Sequence, residues 1–197
     1  MDFELELDTQ VPGDLDLDAF IEAAPDDVYV RGMFISRAHA MLGARYEQIR
    51  PRLLAPPRGG FTSFTAYPIK DFHRVVMEAA RITYPAMSDT QRVRLFARRD
   101  IEVYAGSTLG RVTMSVVSSP GDLIQRFQDV YASMSPGPWG MTAERLGPRR
   151  ARVVVRNLAG VWTYIVGQCE GVCTSMGQSP RVRGTTEGKS LDFTIEW

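Results

Sequence analysis

The clearest pattern of apolar and polar positions lies toward the C-terminal end of the chain. From Trp162 the residues Trp162, Ile165, Val166, Cys169, Cys173 and Met176 fall at offsets of 0, 3, 4, 7, 11 and 14, which lays one apolar stripe along a helix. Gly177 follows it, as a glycine past a helix end does. Ahead of this helix, Arg150 to Arg156 interleaves arginines with alanine and valine and reads as a half-buried strand. Met141 to Leu146 reads as a strand before it, turning at Gly147-Pro148. Beyond the helix, Pro180 to Gly184 and Leu191 to Trp197 read as two more strands joined through a Thr-Thr-Glu-Gly turn.

The first two thirds of the chain carry the helical period. From Val30, the residues Met33, Phe34, Ala38, Met41 and Leu42 share one side of a helix. Arg50 to Phe64, with three prolines and the pair Gly59-Gly60, reads as a loop. Tyr67-Pro68 opens a second helix running to about Thr83, with Phe72, Val75, Val76, Ala79 and Ile82 inside. Ser88 begins a third and long one, with Val93, Ala97, Ile101 and Ala105 inward and Arg92, Arg94, Arg98 and Arg99 outward. Gly106, Ser107 and Gly110 predict a bend or break in it. Ser119-Pro120-Gly-Asp122 starts a fourth helix through Leu123, Phe127, Val130, Tyr131 and Met134, and Ser135-Pro-Gly-Pro ends it. Helices grouped early and strands grouped late predict an α+β fold: four N-terminal helices packed on a C-terminal, mainly antiparallel sheet with one further helix.

Charge changes this picture at one end. The net charge of the 197 residues is zero, yet residues 1 to 27 hold ten acids and no base, so the remainder holds 13 acids against 23 bases. We therefore divide the chain into an acidic leader over 1–27, open to disorder, and a single α+β domain over 28–197. Within the leader, Met1 to Glu6 alternates Phe3 and Leu5 with acids, which suits either an edge strand or a tail. The leader as a whole reads either as a solvated segment or as one that folds back on a basic face or competes with an acidic partner for it.

Candidate chemistry adds little. Two cysteines, Cys169 and Cys173, are too few for a disulfide framework and read as buried core thiols. The two histidines, His39 and His73, lie far from them, so no metal set is predicted. Neither histidine has a nucleophile or carboxylate at a spacing that general acid-base work would need, so no catalytic residues are assigned and an enzyme is not expected. The arginines are dispersed and no recognition motif appears, so nucleic-acid binding is not expected. No apolar run approaches the roughly 20 residues of a membrane span, and the acidic start is unlike a secretory signal, so the expected location is the cytoplasm.

Several spaced residues carry a resemblance. Val30-Arg-Gly-Met-Phe, Tyr67-Pro68, Tyr84-Pro85, Leu146-Gly-Pro-Arg-Arg-Ala-Arg-Val, Gly167-Gln-Cys-Glu-Gly171 with Gly177, and the terminal Trp197 together resemble a myxobacterial paralogous family of unknown function, over about residues 28 to 197. That family is similar in its order of elements to the superfamily of heme nitric-oxide-binding domains, 4-vinyl-reductase-type domains and TRAPP transport-particle subunits. The resemblance implies helices packed over one face of the terminal sheet, with room for an apolar cavity between the layers. Heme nitric-oxide-binding domains resemble one another in a histidine on the helix before the sheet and in a Tyr-x-Ser-x-Arg motif. Asp122 to Met134 has no histidine and the chain has no such motif, so no heme or other cofactor is expected.

Two functions follow as expectations. The leading one is a non-enzymatic regulatory adaptor in bacterial signalling that binds a protein partner, with a small Ras-like GTPase or its regulator as a candidate by resemblance to the TRAPP subunits. Arg92, Arg94, Arg98 and Arg99 are its candidate contacts, because the guanidinium fork pairs with carboxylates and stacks on aromatics. The alternative is a sensor holding an apolar small molecule between helices and sheet, with Tyr131, Trp162, Cys169 and Cys173 as wall residues.

Overall fold

A computed structural model of the chain describes residues 1–11, 16–106, 108–134 and 138–197. The first strand, β1 (Asp2–Glu6), is followed by a short helix α1 (Leu17–Glu22), strand β2 (Tyr29–Arg31) and helix α2 (Met33–Leu42). A one-turn helix α3 (Tyr46–Ile49) and strand β3 (Ala66–Pro68) lead into α4 (Ile69–Thr83), α5 (Asp89–Gly106), α6 (Thr108–Ser115) and α7 (Pro120–Met134). Strands β4 (Gly140–Gly147) and β5 (Arg150–Arg156), helix α8 (Trp162–Ser175) and strands β6 (Arg181–Glu187) and β7 (Ser190–Glu196) complete the chain.

The sheet is antiparallel and ordered β1-β6-β7-β5-β4, with β2 and β3 forming a separate two-stranded ribbon. This is the α+β arrangement that the grouping of elements predicts. Along β5, Ala151, Val153 and Val155 are buried while Arg150, Arg152 and Arg156 are exposed, as the alternation requires. β7 repeats this with Leu191, Phe193 and Ile195. The inward rows of all strands meet the apolar stripe of α8, whose Trp162, Ile165, Val166, Cys169 and Cys173 share one core with them. Gly177, at φ 72°, ends α8, and the amide of Gln178 donates back to the carbonyl of Cys173 (2.9 Å).

On its far side α8 lies against α5, and there the backbones nearly touch. A methyl group at Gly167 would stand 2.2 Å from the carbonyl oxygen of Arg94, and one at Gly171 would stand 2.5 Å from that of Arg98. Only hydrogen fits at either place. Helix α8 is thus sandwiched, and every residue from Trp162 to Cys173 is buried. A second core, built from α1, α2, α4 and the inner face of α5, sits beyond it.

Several expected boundaries move. Tyr67-Pro68 belongs to β3, and Pro68 caps α4 from outside instead of standing in its first turn. The β6–β7 turn is Gly188-Lys189, with Gly188 at φ 55°, so Thr185 to Glu187 extend the strand. Of the bend or break expected at Gly106, Ser107 and Gly110, the middle position, residue 107, lies outside the described ones; α5 is described to Gly106 and α6 from Thr108. Of Ser135-Pro-Gly-Pro, the residues 135–137 lie outside the described ones. Met1 to Glu6 resolves to an edge strand: β1 pairs with β6 in the register Phe3 to Gly184 and Leu5 to Val182, and both side chains are buried. Among the described residues no helix is long and apolar enough to cross a membrane.

Candidate functional site

The four arginines expected on an outer face of the third helix do not form one. Arg94 is fully buried, and its Nε lies 3.2 and 3.0 Å from the two carboxylate oxygens of Glu170, itself fully buried in α8. Its remaining nitrogens donate to the carbonyls of Thr9 (2.5 Å) and Glu6 (2.6 Å). Arg98 donates to the carbonyl of Leu7 (3.1 Å), and Gln91 accepts from the amide of Val11 (3.1 Å). Arg92 caps the preceding turn through the carbonyls of Tyr84 (2.8 Å) and Pro85 (2.6 Å) and pairs with Asp89 (2.5 Å). Arg99 alone is well exposed, beside Glu102 (3.4 Å).

The reason is physical. The helical stripe marks one buried face, but the N-terminal half of α5 is covered on several sides, by α4, α8 and the segment after β1, so Val93, Arg94, Leu95, Phe96 and Ala97 are all buried. A charge can stay there because Glu170 neutralises it and carbonyls take its other donors. Burial pushes the Glu170 carboxyl up from the ordinary carboxylate range, and the Arg94 guanidinium opposes that shift. Sequence reasoning did not pair these two; the signal was a lone acid in an apolar helix, between Gly167 and Gly171.

The four expected wall residues do come together, but as packed core. Trp162, Cys169 and Cys173 are buried in the sheet-side core and Tyr131 packs against its edge. The Trp162 ring lies 4.5 Å from that of Phe3, and Tyr131 meets Trp139 edge-on at 5.1 Å while its hydroxyl donates to Gln168. Burial pushes the Cys169 thiol well up and that of Cys173 up to about 12, so neither is a thiolate at neutral pH. An open depression of about 740 Å³ lies instead where α5, α6 and the end of α8 meet. Its lining mixes Ala105, Gly106 and Met114 with Glu102, Arg111 and Thr174. The Thr174 hydroxyl donates to Glu102 (2.9 Å), and Arg111 donates to the carbonyl of Gly106 (2.7 Å).

The histidines belong to the other core. His73 is buried with Nε2 3.1 Å from the carbonyl of Ala159, which places its proton on that nitrogen, and burial pulls its pKa down to about 4. His39 packs edge-on against Tyr46 (4.4 Å) and Phe61 (5.5 Å). Among the described residues no group of three or more His, Cys, Asp or Glu side chains is placed to hold a metal ion.

This layering of helices over one face of an antiparallel sheet is the fold of the H-NOX proteins. The H-NOX protein from S. oneidensis in its Fe(II)NO ligation state superposes with a TM-score of 0.65 at 13% identity, over 84% of this chain and 98% of that one. The Fe(II) unliganded protein from K. algicida gives 0.62 at 11%, over 84% and 95%, and a T. tengcongensis H-NOX variant gives 0.61 at 11%, over 84% and 96%. By sequence, residues 25–197 match the protein family of unknown function DUF2378, and the chain belongs to that family. No curated protein sequence matches it.

The residues present do not fit a heme. Helix α7 offers no histidine, both histidines are engaged in the opposite core, and Phe3, Trp162 and Phe127 occupy the space between helices and sheet.

Proposed function

We propose that this domain is a non-enzymatic sensor that takes up a small molecule in the depression between α5, α6 and α8. The observation that carries the reading is the contrast between a filled interior and that depression of about 740 Å³, a volume within the range of small-molecule sites. Its lining mixes apolar and polar residues, which suits a small molecule with both apolar and polar parts. The fold it shares with the H-NOX proteins supports the same reading. Burial keeps the thiols protonated and His73 neutral, and His73 is bonded to a backbone carbonyl, which supports a domain without chemistry of its own.

The adaptor reading loses the surface that motivated it, since Arg94 is enclosed and Arg92 and Arg98 are spent on backbone carbonyls. Nothing in the geometry favours a small Ras-like GTPase as the partner.

Native mass spectrometry of the chain purified from its own cells tests the sensor. A bound mass of a few hundred daltons is expected, and Ser175→Trp, which fills the depression from α8, should abolish it. An adduct that survives the substitution would refute this site, and a discrete larger protein complex without any adduct would refute the sensor.

A further inference from the structure

Helix α1 places Asp18 and Glu22 one turn apart, and Asp26 follows at the same interval. Each faces a base. Asp18 lies 3.4 Å from Arg52, Glu22 receives a hydrogen bond from Arg74, and Asp26 lies 2.7 Å from Lys70. Lys70 and Arg74 come from α4, and Arg52 from the turn after α3. Between the pairs, Leu17 and Ile21 are buried on the same surface. Of the two readings of the acidic leader, the one in which it folds back on a basic face therefore describes these residues.

The fit is incomplete at Arg74. This side chain is only 9% exposed, yet its Nε and Nη1 have no hydrogen-bond partner among the described residues. Asp71 lies 3.8 Å from Nη1 and spends both oxygens on the amides of Leu54 and Ala55 (2.8 Å each). Beside it is a hole of about 10 Å³, water-sized, lined in part by Ile21, Ile49 and Met77. A buried guanidinium with two idle donors calls for more acceptor than the single oxygen Glu22 supplies. Helix α1 has six residues, too few to be helical alone, and its carboxylates Asp18 and Glu22, like Asp26 beyond it, are largely exposed, so their pairs hold it weakly.

We propose that the groove on α4 beneath α1 is a docking site for an acidic amphipathic helix of a partner protein, with α1 as its built-in competitor. A longer helix with carboxylates every fourth residue and apolar residues beside them keeps the three ion pairs and brings further oxygens to Arg74. Charge complementarity selects that occupant, because the groove bears Arg52, Lys70 and Arg74 and its resident, residues 16–28, holds five acids and no base. The groove lies within the span matched by the family, whereas α1 lies ahead of it.

The test uses the full chain and a fluorescein-labelled synthetic peptide with the sequence of residues 15–28. Asp18→Lys, Glu22→Lys and Asp26→Lys together repel α1 from the groove. Removing this intramolecular competitor should tighten peptide binding by roughly tenfold or more over the native chain. Adding Lys70→Glu and Arg74→Glu should cancel the gain. Equal binding to native and triple-substituted chains overturns the proposal, as does a gain that persists without Lys70 and Arg74. Should the variant not fold, amide exchange on the native chain decides: α1 amides should exchange roughly a hundredfold faster than those of α4, and faster still with excess peptide. Equal protection of the two helices overturns it. Inorganic polyphosphate competing as well as the peptide at equal charge overturns it too, since charge alone would then suffice.

Discussion

Arg94 and Glu170 are both shut off from water, and neither is tolerable there without the other. Replacing Arg94 by alanine strands a buried carboxylate and frees the carbonyls of Glu6 and Thr9, so we expect a loss of about 3 to 5 kcal/mol in urea unfolding. Arg94→Met with Glu170→Leu removes both charges, and its midpoint should lie well above that of Arg94→Ala. His73 makes a second prediction, in pH. Its ordinary pKa of 6.5 falls to about 4 in the fold, so the unfolded chain binds the extra proton between those values. Stability is therefore full above pH 6.5 and falls as the pH drops toward 4, by about 3 kcal/mol from this group. His73→Gln should flatten that part of a stability-versus-pH curve measured by chemical denaturation.

Helices α5 and α8 cross as closely as backbones allow, and this crossing fixes the distance between the helical part and the sheet. Gly167→Ala would drive a methyl into the carbonyl of Arg94, an overpacking that forces the helices apart and should cost about 3 kcal/mol by thermal or urea unfolding. A substitution at Gly140, where nothing lies within 4 Å, is the control and should be nearly silent. Some parts of the fold are legible in the sequence. The stripe of α8, the alternation of β5 and the Ser119-Pro120 start of α7, where Ser119 Oγ accepts from the Asp122 amide at 3.3 Å, each follow from a local rule. On α5, burial on several sides takes in residues off the apolar stripe as well, which is why Arg94 reads as surface. Three-residue strands such as β2 and β3 are too short to show a period at all. As for the site, Tyr131, Trp162, Cys169 and Cys173 read in the sequence as walls of a cavity and stand in the structure in or against one packed core, because composition cannot tell a lined cavity from a filled core. The residues around the depression, such as Thr174 and Arg111, stand on no pattern.

The molecule has two cores, and residues 1–28 reach both. Phe3, Leu5 and Val11 are buried in the sheet-side core, and Leu17, Ile21, Ala24 and Val28 in the helical one. Phe3→Ala empties the place beside Trp162 and should cost about 3 to 5 kcal/mol in urea unfolding. It should also loosen β1 and expose the edge of β6, so an increase in light scattering during mild heating is the second expected outcome. That edge has a further consequence, in time. β1 is made some 180 residues before its partner β6, so on the ribosome the strand waits unpaired while the elements between them are synthesised. Contacts this distant in sequence close slowly, and they close after the rest has formed. The acids alternating along β1 suit that wait, because their charge keeps an unpaired strand in water and away from other nascent chains until β6 emerges.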